Sequence, residues 1–260
     1  MGLGLGNGEL MHYLPFLAII MTVPVASYGQ TYVNSTTFEA EAGSGAGGSF
    51  SFSSGANRIA IVGRCIRENG GAVAADTAAP TVGGSSTTQI GSGISNSGGV
   101  MRGELYYLKN PSSGSQTIAT FPAASSDRNM TVVAEYTGVD QTAPVRAETT
   151  LSLASTALNL DAIASAVGDL VIANFCIRSQ NPHTTIAPEG TAPTSTERQD
   201  VGHTNVASTL KIALYEEAGA ATSTNIRAVL DLANQTASIG VALKPVAVTI
   251  VRPRGVVIFP

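Results

Sequence analysis

The sequence contains no tryptophan. That removes the largest aromatic platform on which a sugar ring could stack. Charge is also scarce. Charged residues make up 12% of the chain, against about 25% in ordinary soluble domains. The 14 lysines and arginines are scattered, and the net charge is -4. No basic stripe exists to release counterions from phosphates, which argues against a nucleic-acid partner. Long apolar runs are missing too. Residues 14–26 form an apolar stretch, but a membrane helix needs about 20 residues. No membrane span is expected. Cysteine is limited to Cys65 and Cys176. Two cysteines do not make a disulfide scaffold, and these two lack zinc-ligand spacing.

What is there is small and apolar. Hydrophobic residues make up 43% of the chain. With so little charge, much of the surface must be Ser, Thr, Gly and Asn. Such surfaces suit secreted or virion proteins that pack against copies of themselves. Recurrent Val, Ile, Leu and Ala runs can bury a core, which sets the chain apart from disordered Gly/Ser-rich sequences.

From Tyr32 onward short apolar runs alternate with turn-forming clusters, the spacing of an all-β sandwich or barrel. The expected strands are 36–42, 49–53, 58–67, 103–109, 116–121, 130–137, 151–154, 169–178, 209–216, 226–232, 237–243 and 246–251. In 58–67, Ile59, Ile61, Gly63 and Cys65 share one face, with Ala60, Val62 and Ile66 on the other. Both faces are largely apolar, so this strand is expected at a sheet centre, covered twice. The same holds for Leu170, Ile172 and Cys176 against Val171, Ala173, Phe175 and Ile177. Residues 158–167 read as a short helix or a strand connection. Two polar stretches, 72–99 and 180–207, read as long loops, and loops of that length in a compact domain are usually functional or contact a partner. The cysteines sit in matching contexts, Arg64-Cys65-Ile66-Arg67 and Phe175-Cys176-Ile177-Arg178. The favoured reading is two buried free thiols. A disulfide is the alternative, if the strands bring their Cα atoms within about 7 Å.

The chain divides into three expected parts: 1–30, a β-sandwich over 31–245, and 246–260. The first resembles a secretory signal in its apolar length and in Ser27-Tyr28-Gly29 as a cleavage region. No Lys or Arg precedes it, however, Glu9 is acidic, and Pro15 and Pro24 interrupt it. The favoured reading is an assembly arm carried by Leu14, Phe16, Ile19 and Ile20. The last part reads as a C-terminal β arm with Val248, Ile250, Val257 and Phe259 flanking an Arg252-Pro253-Arg254-Gly255 turn. Exposed edges recruit other chains. The alternative is that it completes the domain's own sheet.

Several pieces between residues 57 and 245 carry a resemblance. They are Asn57-Arg58 before an apolar strand, Tyr106-Tyr107-Leu108-Lys109-Asn110-Pro111, Gly168-Asp169-Leu170-Val171-Ile172-Ala173 and Ile239-Gly240-Val241-Ala242-Leu243-Lys244-Pro245. The most specific is Ala134-Glu135-Tyr136-Thr137-Gly138-Val139-Asp140-Gln141-Thr142-Ala143-Pro144-Val145. This stretch resembles a β-sandwich domain of bacterial secreted proteins and tailed-phage virion proteins. The opening Gly2-Leu3-Gly4-Leu5-Gly6-Asn7-Gly8 likewise resembles the starts of some tailed-phage structural proteins. The resemblance implies a jelly-roll-like sandwich and an exterior location, and it carries over no catalytic residues. Residue by residue, Tyr136 to Asp140 reads as a strand end. Gly138 takes a positive φ, and Asp140 bonds backbone amides in an Asx turn.

Motifs that carry chemistry are few. Residues 43–48 fit G-x-G-x-x-G, but a strand rather than a helix follows, so a dinucleotide site is not expected. No G-x-S-x-G elbow presents a serine. His183 and His203 flank Glu189, Glu197 and Asp200 without a known ligand spacing, and read as surface loop residues. Glu216 and Glu217 are consecutive and point opposite ways, while Glu39 and Glu41 share a face like many solvated pairs. No enzymatic role, metal or cofactor is expected. The leading expectation is a virion structural protein of a tailed phage. It would decorate or cement the capsid, or form fibre or tail surface, with copies of itself and other virion proteins as partners. The alternative is a secreted adhesion module whose partner is a surface glycan.

Overall fold

The computed structural model describes residues 29–41, 44–68, 71–73, 78–121, 128–178, 186–188, 195–204 and 210–247. The arm residues Leu14, Phe16, Ile19, Ile20, Val248, Ile250, Val257 and Phe259 lie outside them.

Alternation of apolar side chains on both faces sets the plan of the molecule. Among the described residues the chain forms strands and no helix. In order they are β1 (Thr31–Glu41), β2 (Gly48–Phe52), β3 (Ile59–Arg67), β4 (Ala78–Val82), β5 (Ser85–Ser86) and β6 (Thr88–Gln89). There follow β7 (Ile94–Ser95), β8 (Met101–Lys109), β9 (Gly114–Phe121), β10 (Arg128–Thr137) and β11 (Thr149–Ala164). The last are β12 (Leu170–Arg178), β13 (Ile186–Pro188), β14 (Thr196–Gly202), β15 (Lys211–Ala218) and β16 (Ser223–Leu243). They build three antiparallel sheets. The first runs β1-β10-β3-β8-β6 with β7 also on β8, the second β11-β16-β12-β15-β14 with β13 also on β16, and the third β2-β9-β4-β5.

The all-β sandwich is formed by the first two sheets. Ile59 and Ile61 of β3 and Val132 of β10 meet Ile172 of β12, Ile212 of β15 and Ile239 of β16 in its core. The expected double cover of β3 is present, for every residue of that strand is buried. Its second face, with Ala60 and Val62, packs on Phe50, Phe52 and Ile118 of the third sheet. The outer face of β12 is covered differently. Register shifts at Ser155/Ala157 and Leu160/Ile163 interrupt the pairing of β11 with β16, and Ala162 takes φ 57°. Bulges bend a strand. The ribbon curls back so that Leu158, Leu160 and Ile226 pack on Val171, Ala173 and Phe175. The tip of Ile163 then stands only 2.5 Å from where a Cβ on Gly240 would lie.

Five expectations change. Cys65 and Cys176 are joined by a disulfide rather than free, with Cα atoms 5.4 Å apart. β3 and β12 lie in different sheets, and the bond crosses the sandwich. Residues 72–99 hold β4, β5, β6 and β7 instead of one loop. Within 180–207, β13 and β14 are strands. These pieces are two to seven residues long, too short and too polar to show alternation. Residues 158–164 belong to a strand, and the two runs 226–232 and 237–243 are parts of the single strand β16.

The Tyr136–Asp140 corner is formed as its residues dictate. Gly138 has φ 73°, and Asp140 Oδ1 accepts the Thr142 N–H at 2.7 Å. A Cβ at Gly138 would lie 2.8 Å from the Gly29 carbonyl oxygen. Gln30 Nε2 donates to the Leu243 carbonyl at 2.8 Å, and the Val246 N–H to the Gly138 carbonyl at 2.9 Å. Residues 29–30 and 245–246 therefore meet at one pole.

Candidate functional site

Sheet packing normally keeps strands about 10 Å apart across a sandwich. Here the sheets pinch together around the disulfide, and two glycines permit it. Gly103 pairs directly with Cys65. A Cβ on Gly103 would lie 2.2 Å from the Ala237 carbonyl oxygen, and one on Gly63 would lie 2.8 Å from the Asn174 side chain. Asn174 Nδ2 donates across the gap to the Glu104 carbonyl at 3.2 Å. Both cysteines have no exposed surface.

Directly behind the pinch, between the first and third sheets, sits a buried charge cluster. Arg64 and Glu104 are 0% and 1% exposed. Arg64 Nε donates to Glu104 Oε2 at 2.7 Å, and Arg102 Nε to Glu104 Oε1 at 2.7 Å. Arg64 also donates to the Tyr106 hydroxyl at 3.0 Å and to the Ala78 carbonyl of β4 at 3.0 Å. Burial pushes the Glu104 carboxyl up, but Arg64 and Arg102 together outweigh it and hold it below its ordinary value. A second buried carboxylate, Glu135, accepts from the Ser53 N–H at 2.9 Å and hydroxyl at 2.7 Å. Both clusters tie the third sheet to the first.

A third set joins the sandwich edges β1 and β14. The Arg198 guanidinium lies 4.2 Å from the Tyr32 ring centroid and pairs with Glu216. Gln199 Nε2 donates to the Ser35 hydroxyl at 2.7 Å, and the Thr204 N–H to Glu39 Oε2 at 2.8 Å. Burial first, and then the charge of Glu216, push the Tyr136 phenol well above its ordinary range. Burial and the Glu197 carboxylate, to which Tyr215 donates at 2.9 Å, do the same to Tyr215.

The sequence-predicted candidates fall as follows. His203 is not a surface loop residue: it is buried, with Nε2 3.3 Å from the Ala40 carbonyl oxygen, because the β1–β14 edge closes over it. His183 and Glu189 lie outside the described residues. Glu216 and Glu217 do part, the first to Arg198 and the second to the Ser195 hydroxyl at 3.0 Å. Burial raises Glu217 and this hydrogen bond lowers it, with burial the larger effect. Among the described residues no group of three or more His, Cys, Asp or Glu could hold a metal ion. Sequence reasoning missed Arg64, Glu104 and Glu135. The signal was a single charge inside an otherwise apolar, two-faced strand, as in Val62-Gly63-Arg64-Cys65.

Each cluster can stitch layers together. What is left to meet a partner is the exposed surface. On the third sheet Ser49 stands opposite Thr117 and Ser51 opposite Ser115, and all four are exposed. Thr150, Ser152 and Thr156 repeat the pattern on β11. No protein-family model, curated protein or solved structure matches this chain.

Proposed function

We propose that the chain is a structural surface protein of a tailed-phage virion, a capsid decoration or a fibre or tail component that acts by assembly. The observation that carries this reading is the exposed hydroxyl array, Ser49, Ser51, Ser115 and Thr117. Short hydroxyl side chains lose little rotamer freedom on contact, and they bring no charge to desolvate. Such a face packs against a copy of itself or another virion protein. The motifs at residues 57–245, read as those of virion and secreted sandwich domains, are part of the same proposal. The jelly-roll kinship and the two docking arms belong to this proposal.

A second reading, a secreted bacterial adhesion or glycan-binding module, is favoured by the Cys65–Cys176 bond. Disulfides persist in oxidising, extracytoplasmic settings. The test is the intact mass of the protein from its native source, measured on purified particles and on the particle-free medium. A particle-bound chain that includes residues 1–30 supports the virion reading. A free chain starting near Gly29 or Gln30 overturns it in favour of the secreted module.

A further inference from the structure

Cys65 and Cys176 are separated by 111 positions, sit on different sheets, and are both wholly buried. Their surroundings are sealed from every side. Met101, Met130, Leu105 and Ile212 belong to the same core cluster. Gly103 draws the Ala237 backbone in until not even a methyl group would fit. Thiol–disulfide exchange proceeds through a mixed disulfide, in which the attacking and attacked sulfurs approach in line, so access controls its rate. The closed sandwich has no room for a second molecule's sulfur beside either cysteine.

From this geometry we infer that the bond is made by an external thiol–disulfide oxidant acting on the open chain, before β3 and β12 close on each other. Either cysteine thiolate attacks the oxidant's disulfide, expels one thiolate and forms a mixed disulfide. The other cysteine then attacks the protein sulfur and expels the second thiolate. Two electrons and the two thiol protons pass to the oxidant, which leaves as two thiols, and the chain becomes two hydrogens lighter. The partner is defined by its chemistry as a disulfide oxidant, and it meets this chain where the chain folds. Once closed, the sandwich shields the bond from reductants. This inference goes beyond the proposed surface role and does not depend on it.

The test uses the purified full chain in two arms. The native oxidised protein is incubated with dithiothreitol and sampled by alkylation with N-ethylmaleimide and mass spectrometry. No alkylated cysteine is expected over a period in which a urea-unfolded sample is fully modified. The separately reduced chain is then returned to native buffer and offered oxidised glutathione. If it refolds reduced, closure of the bond is expected to be at least 10-fold slower than in the urea-unfolded chain, and to accelerate with sub-denaturing urea. If it does not refold while reduced, oxidation necessarily precedes folding, which supports the inference. Rapid reduction of the native protein, or rapid closure in the folded reduced chain, overturns it.

Discussion

At the scale of single residues, the informative groups are charges placed where water cannot reach. Glu104 is held between two arginines, and removing one partner of a buried pair leaves the rest uncompensated. Arg64→Ala is therefore expected to cost about 3–5 kcal/mol, read as a fall in the urea midpoint. The pH dependence has a definite sign. The folded carboxyl titrates below its ordinary value of 4.5. Its contribution is thus complete above that pH and is lost as pH falls through the lower, folded value. Urea midpoints should decline below about pH 4.5, and Glu104→Gln should flatten that decline while lowering the midpoint at pH 7. Tyr136 and Tyr215 work at the other end. Their folded phenols titrate above the ordinary 10, so their contribution is intact below that pH and fades as pH rises past it. In an alkaline titration followed at 295 nm, Tyr136 and Tyr215 should ionise only as the fold is lost.

At the scale of strands, the pinch depends on glycine. Gly103→Ala places a methyl group against the backbone oxygen of Ala237, which no rotamer change relieves. Overpacking of this kind costs about 1–3 kcal/mol or more. A thermal melt should show it, whereas Ser115→Ala on the exposed hydroxyl face should stay within about 0.5 kcal/mol. The same scale separates what could be read in the sequence from what could not. β3 and β12 were legible with their faces because both carry apolar residues at alternate positions, and a period of two survives any tertiary context. The Gly138 and Asp140 corner was legible because turn chemistry is local. β5, β6 and β7 were hidden, being two residues each, and their existence depends on a neighbouring strand. The fusion of 226–232 with 237–243 was hidden because Ala233-Asn234-Gln235 looks like a break. As for the candidate site, the matching contexts of the two cysteines were visible, but their pairing was not. It depends on which two sheets face each other, and no local pattern encodes that.

At the scale of the whole molecule, the layers are held by one covalent bond and several buried polar ties. Closing a loop of about 100 residues is worth about 4–5 kcal/mol in the chain-entropy account. The double variant Cys65→Ala/Cys176→Ala is expected to lose about that much in a urea titration, with a far-UV circular dichroism spectrum like that of the parent. A larger loss accompanied by a changed spectrum would mean that the apolar layers cannot hold the sheets together by themselves. The meeting of residues 29–30 with 245–246 at one pole has a consequence for load. Tension applied to the flanking segments passes through a short junction, which includes the Gln30–Leu243, Gly138–Val246 and Asp140–Lys244 hydrogen bonds. It does not run along the strands. The sandwich hangs from its line of force like a pendant, so stretching the flanks would peel that junction first and leave the body unstrained.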